Sequence, residues 1–176
     1  MNLVLIGYRG TGKTAIGRRL AERLGMEYVG LDEEIVRRAG KSIPDLVEES
    51  GWDRFRDIEA EAVRDAAAAD NRILDTGGGA ILRDENVAAL RRNGLVIWLR
   101  ASVPDIVARI GADDQRPSLT GRRSFTDEVD EVLAERKPRY NAAAHERIDT
   151  SALTIEEAVQ AIAGIFENAR KQSKDA

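Results

Sequence analysis

An α/β fold, a parallel sheet with helices on both faces, is predicted by three features of this sequence. Residues 7–14 read Gly-Tyr-Arg-Gly-Thr-Gly-Lys-Thr, a G-x-x-x-x-G-K-[ST] loop. It follows the apolar run Asn2-Leu3-Val4-Leu5-Ile6 and precedes Ala15, Ile16, Leu20 and Leu24 at helical spacing, so it joins a strand to a helix. Leu95-Val96-Ile97-Trp98-Leu99 is apolar throughout, the mark of a strand buried on both faces of a parallel sheet. Strand and helix patterns alternate along nearly the whole chain, with no internal repeat, linker or low-complexity segment.

Each element follows from local chemistry. The first helix opens near Lys13 and closes at Gly25. Residues 27–31 read as a second strand with Asp32 at its C-terminal end, and a helix over about 33–39 stops at Gly40. Ser42-Ile43-Pro44-Asp45 is a helix start, with Ser as cap and Pro in the first turn; that helix ends near Gly51. A longer helix covers about 53–69, with Phe55, Ile58, Ala62, Val63 and Ala66 as its apolar stripe. Arg72-Ile73-Leu74-Asp75 is a short strand and Thr76-Gly77-Gly78-Gly79 a loop. Asp84 is read as the cap of a helix ending at Gly94, and Ser102-Val103-Pro104-Asp105 caps another ending near Gly111.

Residues 112–124 are polar, charged and weakly periodic, and read as a mobile lid. A helix follows from about 126 into the 136–140 region, where Pro138 is expected to kink or interrupt it. His145, the single histidine, is placed on a late helix face without a catalytic role. Arg147-Ile148-Asp149 makes the last strand. Thr154-Ile155-Glu156-Glu157 is a capping box for a final helix with Ile155, Val159, Ile162 and Ile165 inward. Residues 171–176 read as a frayed tail, leaving 1–170 as one domain.

Composition narrows the function. Acidic residues number 31 against 27 basic, for a net charge of −4, which gives no reason to expect a nucleic-acid partner. The absence of cysteine excludes disulfides, thiolate metal sites and cysteine nucleophiles. The N-terminus is strand rather than signal peptide, and no apolar run approaches membrane-spanning length, so a cytoplasmic protein without a membrane partner is expected.

The glycine loop supplies the chemistry. Its glycines let successive N–H groups turn inward onto phosphate oxygens, and the following helix adds its positive end. Nucleotide phosphates are thus expected on Gly10, Thr11, Gly12, Lys13, Thr14 and Ala15, with the Lys13 ammonium on the β- and γ-phosphates and the Thr14 hydroxyl on Mg²⁺. A nucleoside triphosphate with Mg²⁺ is therefore the expected ligand. Ligands of such sheets sit at the C-terminal strand ends, where Asp32, Asp75 and the 77–79 glycines lie.

Several uses of the phosphate compete. Asp75-Thr76-Gly77-Gly78 matches the D-x-x-G of GTPase switches, but no N-K-x-D or T-K-x-D for guanine is present. Nothing suggests the repeats or second domain of a large motor. A small-molecule kinase needs a carboxylate for the acceptor hydroxyl and cations for the charge in transit. Asp32, Arg56, Arg116 and Arg136 answer to that description, although Arg56 could equally pair with Glu59 or Asp53 on its own helix.

These pieces together resemble the shikimate kinase family over about residues 2–166. The phosphate loop is matched, as are Asp32 with Glu33-Glu34-Ile35, Gly40-Lys41-Ser42-Ile43, and Gly51 with Phe55-Arg56-Asp57-Ile58-Glu59. Gly77-Gly78-Gly79-Ala80, Arg116-Pro117, and Arg136 with Pro138 and Tyr140 complete the match. The resemblance implies ATP-dependent phosphorylation of the 3-hydroxyl of shikimate, and the chain is read as a monomer. It implies an adenylate-kinase-like, three-layer P-loop kinase fold with five parallel strands in order 2-3-1-4-5 and a lid. Asp32 would then be base or orienter, and residues 33–61 the acceptor-binding region. Arg56 and Arg136 would hold the substrate carboxylate, with Gly77, Gly78 and Gly79 closing the pocket. Arg116 would swing onto the phosphates and Arg109 would lie against adenine. A same-fold kinase for another sugar acid such as gluconate, and a nucleotide-binding relative with little turnover, are the alternatives.

Two positions depart from the family pattern. The family usually carries D-x-D at the end of the second strand, and the first of these acids is Gly30 here. Asp75 could supply the lost metal-side carboxylate, or could simply cap the glycine loop. Trp52 stands where an acid is usual, and the sequence offers no functional account of it. Tyr8 and Arg9 either border the acceptor pocket or face solvent.

Overall fold

The computed structural model describes residues 1–110 and 125–173. The strands are β1 (Asn2–Ile6), β2 (Glu27–Gly30), β3 (Arg72–Asp75), β4 (Gly94–Arg100) and β5 (Glu146–Asp149). They form one five-stranded sheet in the order β2-β3-β1-β4-β5, with every neighbouring pair parallel. The helices are α1 (Lys13–Leu24), α2 (Leu31–Ala39), α3 (Ile43–Ala68), α4 (Asp84–Arg92), α5 (Val103–Ile110), α6 (Phe125–Ala143) and α7 (Ile155–Gln172).

Alternation along the central strands makes the three layers. Val4 and Ile6 of β1, Leu74 of β3, and Val96 and Trp98 of β4 face α2, α3, α4 and α6. Leu3 and Leu5, Ile73, and Ile97 and Leu99 face α1 and α7. Residues 3–6 have no exposed surface, and each such side chain contributes about 1.5–3 kcal/mol through burial. A smaller cluster of Tyr8, Ile106, Ile110, Val129 and Val132 joins the phosphate loop to α5 and α6.

Most sequence-predicted caps form. Ser42 and Thr154 each accept a backbone N–H three residues on, and Thr154 with Glu157 completes the capping box. Gly51 takes φ 77°, a conformation that only glycine adopts readily, and breaks the helical path of α3 where the sequence predicts a boundary.

Five expectations are corrected. Asp32 belongs to the first turn of α2, which begins at Leu31 rather than near residue 33. Asp84 is the first residue of α4 and makes no capping bond; it accepts a hydrogen bond from Arg139 instead. Pro138 does not interrupt α6, because it lies on the exposed side, where water can satisfy the carbonyl that its missing N–H leaves. Ile155 is 48% exposed, because the apolar face of α7 starts at Ala158 and Val159. His145 lies in a bend before β5, where its Nδ1 accepts from the Val96 N–H at 2.9 Å, and burial beside Arg91 holds its pKa below the usual value. The lid segment 112–124, with Arg116, lies outside the described residues.

One surface interaction yields a pH prediction. The Glu34 carboxylate accepts from Arg37 at 2.6 and 2.8 Å and from Arg38 at 2.7 Å, which lowers its pKa from 4.5 to about 2. A depressed folded-state pKa contributes stability that is present above pH 4.5 and lost as the pH falls toward 2. Arg37 is largely exposed, so Glu34→Gln is expected to cost only about 0.5–1 kcal/mol at neutral pH. Urea unfolding at both pH extremes checks that the difference vanishes in acid.

Candidate active site

The phosphate loop leaves β1 at Gly7 and enters α1 at Lys13. Gly10 (φ 78°) and Gly12 (φ 92°) occupy the left-handed region, which turns the backbone N–H groups into the cradle. Lys13 is buried, and its ammonium donates to the carbonyls of Gly7 (2.9 Å) and Tyr8 (3.0 Å). Thr11 donates to the Tyr8 carbonyl at 2.8 Å. Arg109, at the end of α5, donates to the Gly10 carbonyl at 3.2 Å and to Thr150 at 2.9 and 3.2 Å, bracing the loop from outside.

A cleft of about 430 Å³ opens over this loop. Gly10, Gly12, Lys13, Thr14, Ala15 and Arg109 lie on its nucleotide side, and Asp32, Asp75 and Gly78 face it. The Thr14 hydroxyl donates to Asp75 Oδ2 at 2.7 Å, and the Tyr28 hydroxyl donates to the same oxygen at 2.9 Å. Burial and the Asp75 carboxylate push the Tyr28 hydroxyl well above the usual phenol range, so it remains a donor at physiological pH.

The 77–79 glycines gather the acceptor-side residues. Two of them allow close approach by side chains: a Cβ on Gly77 would stand 2.7 Å from Asp32 Oδ1, and one on Gly79 only 2.2 Å from an Arg56 nitrogen. Arg136 donates to the Gly78 carbonyl at 3.2 Å, and the Tyr140 hydroxyl donates to the same carbonyl. Tyr140 is itself held by stacking on Trp98, with centroids 5.4 Å apart. Arg139 points elsewhere, onto Leu82 and Asp84, so Arg136 is the arginine that α6 gives to the site.

Arg56 does pair with Glu59, at 2.6 Å, but not on the surface: Glu59 is 1% exposed. Burial pushes the Glu59 carboxyl above the usual carboxylate range, and Arg56 pulls it back. Glu59 Oε1 has no hydrogen-bond partner among the described residues. Arg56 is thereby held on Glu59 at the rim of the glycine loop. Trp52 packs edge-on against Phe55 at 5.6 Å, with the Arg56 guanidinium 5.7 Å from its ring. Tyr8 is buried against α5 and α6 rather than solvent-facing, and Arg9 lines the cleft within 3.6 Å of buried Glu128.

Sequence reasoning missed Tyr28 and Thr150. The period of two along β2 puts Tyr28 on the same face as Gly30, a usable signal. Thr150 stands just beyond β5, with its hydroxyl within hydrogen-bond distance of the carbonyls of Thr11 (3.1 Å) and Arg100 (3.0 Å), its single proton serving one of them at a time.

A parallel sheet in this order, with a phosphate loop after its central strand and an acid–arginine wall opposite, defines a P-loop kinase for small molecules. The family model described as Shikimate kinase matches residues 9–166. A shikimate kinase of Nitratidesulfovibrio vulgaris is 48% identical over 143 residues, covering 80% of this chain and 81% of the relative. One from Symbiobacterium thermophilum is 43% identical over 164 residues, covering 92% and 94%. The solved structure of shikimate kinase from Acinetobacter baumannii in complex with shikimate superimposes with a TM-score of 0.90 at 33% identity, covering 96% of this chain and 93% of that one. This chain belongs to the shikimate kinase family.

Proposed function

We propose that this chain transfers the γ-phosphoryl group of ATP to the 3-hydroxyl of shikimate, on the way to chorismate and the aromatic amino acids, as a cytoplasmic monomer. The observation that carries the reading is one cleft with a Lys13–Thr14 phosphate loop on one wall and Asp32 and Gly78 on the other, with Arg136 on the Gly78 carbonyl and Arg56 against Gly79 beside it. An acceptor with several hydroxyls and one carboxylate suits one acid and two guanidinium forks. The solved relative bound to shikimate supports the same acceptor.

Arg56 and Arg136 hold the carboxylate, and Asp32 orients the 3-hydroxyl and accepts its proton. The oxygen forms a bond to the γ-phosphorus as the bond to the β,γ-bridging oxygen breaks, and ADP leaves. Lys13 and, from the lid, Arg116 stabilise the charge that spreads over the phosphoryl oxygens. Arg109 flanks the adenine.

The donor set fits Mg²⁺. A hydroxyl and a carboxylate oxygen, Thr14 Oγ1 and Asp75 Oδ2, lie together in the cleft, and hard oxygen ligands suit this ion. Among the described residues no cluster of three or more His, Cys, Asp or Glu that could hold a metal occurs. Thr14 and Asp75 would hold the ion, which neutralises phosphate charge when bound.

A coupled ADP-release assay with ATP, Mg²⁺ and shikimate tests the reading, with gluconate in parallel. Shikimate is expected to exceed gluconate by at least about 100-fold in kcat/KM. ATP binding without shikimate-dependent turnover would sink the proposal. Gly79→Ala gives a finer test, because its methyl group must displace the Arg56 guanidinium from its seat on Glu59. Its KM for shikimate is expected to rise roughly tenfold, with kcat and Tm nearly unchanged.

A further inference from the structure

We infer that Tyr28 is a positioning residue for the metal-side carboxylate: its hydroxyl holds Asp75 in the orientation that lets Asp75 and Thr14 serve the cation together. The inference rests on the assignment of Thr14 and Asp75 to Mg²⁺ proposed above.

Sheet register places the parts. Gly30 of β2 lies directly beside Asp75 of β3, so both positions face the same side of the sheet. Tyr28, two residues earlier, shares that face, and its long side chain reaches diagonally across to Asp75. Two hydroxyls, from Tyr28 and Thr14, donate to Asp75 Oδ2 at 2.9 and 2.7 Å. Two donors on one oxygen restrict rotation of the carboxylate. A threonine hydroxyl that donates its proton to Asp75 keeps its lone pairs for a cation.

Tyr28 sits in a seat built for its ring. A Cβ on Gly17 would stand 3.1 Å from a ring carbon, so the absence of a side chain there admits the ring against α1. The Arg18 guanidinium covers the ring at 5.1 Å and is tied to Glu33 at 2.8 Å. Beside it, a Cβ on Gly30 would meet the Tyr28 hydroxyl at 3.3 Å and the Glu33 carboxyl at 3.2 Å. A side chain at position 30 and the Tyr28–Asp75 hydrogen bond therefore compete for the same space. A carboxylate at position 30 would also set a like charge next to Asp75. The arrangement moves the acid one strand over, from β2 to β3, and uses the vacated space for the phenol that orients it.

The test measures binding of a non-hydrolysable ATP analogue by calorimetry, with and without Mg²⁺, so turnover plays no part. The quantity read is the Mg²⁺-dependent tightening of binding. Tyr28→Phe keeps the ring and its packing and removes one charge-assisted hydrogen bond, so this tightening is expected to fall about fivefold to tenfold. Affinity without Mg²⁺ should change less than twofold, and Tm should show that the fold is intact. Asp75→Asn should lose at least as much, and adding Tyr28→Phe to it should cost nothing further, since the two act as one unit. Unchanged tightening in Tyr28→Phe, alongside a loss in Asp75→Asn, would overturn the role of Tyr28 and leave Asp75 with the cation. Unchanged tightening in Asp75→Asn would overturn the cation assignment and the role of Tyr28 with it.

Discussion

Asp32→Asn is expected to lower kcat by about 10²- to 10⁴-fold, the range for losing a positioned general base. Asparagine keeps the size and one hydrogen-bonding oxygen of aspartate but cannot take the proton of the acceptor hydroxyl. KM for shikimate should therefore move little, and the loss should appear in kcat. Space around Asp32 is tight, with Gly77 and the buried Glu59 side chain close by. Single-turnover kinetics with ATP and shikimate check the chemical step directly. A kcat loss below tenfold would reduce Asp32 to an orienting group.

Arg136→Ala is expected to raise the KM for shikimate about 100-fold, the loss from removing a charge-assisted, two-pronged contact with a carboxylate. The contact geometry makes the expectation specific to this arginine. Arg136 is steered onto the glycine loop, where the Gly78 carbonyl also receives the Tyr140 hydroxyl. Arg139, three residues along α6, is committed to Leu82 and Asp84, and Arg139→Ala should change KM less than twofold. Arg136→Lys should restore little, because a point charge does not reproduce the planar fork. Equal losses in the Arg136 and Arg139 variants would remove Arg136 from the acceptor site. Trp52 offers a direct readout of binding, because its ring lies 5.7 Å from the Arg56 guanidinium, and its fluorescence should change when shikimate binds.

Much of this molecule is legible within short stretches of sequence. The phosphate loop, the Ser42 and Thr154 caps, the break at Gly51 and the buried stripe from Phe55 to Ala66 each depend on residues a few positions apart. Backbone conformation, capping bonds and side-chain period act at that range, so the residues alone determine them. The family pattern then extends the reading to Asp32, Arg56 and Arg136, whose side chains come from three different helices.

Packing between distant segments decides the rest. Pro138 can sit within α6 because that side of the helix faces water. His145 is drawn off its helix to serve Val96 on β4. The choice of Arg136 over Arg139 depends on which side of α6 meets the 77–79 glycines, and that follows from how α6 seats on the sheet. The most consequential case is Gly30, whose local meaning is a lost acid. Only the pairing of β2 with β3 shows that Asp75 stands beside it and that Tyr28 fills the space it leaves. Strand register is a relation between segments more than 40 residues apart, set by hydrogen bonds and burial that no local stretch contains.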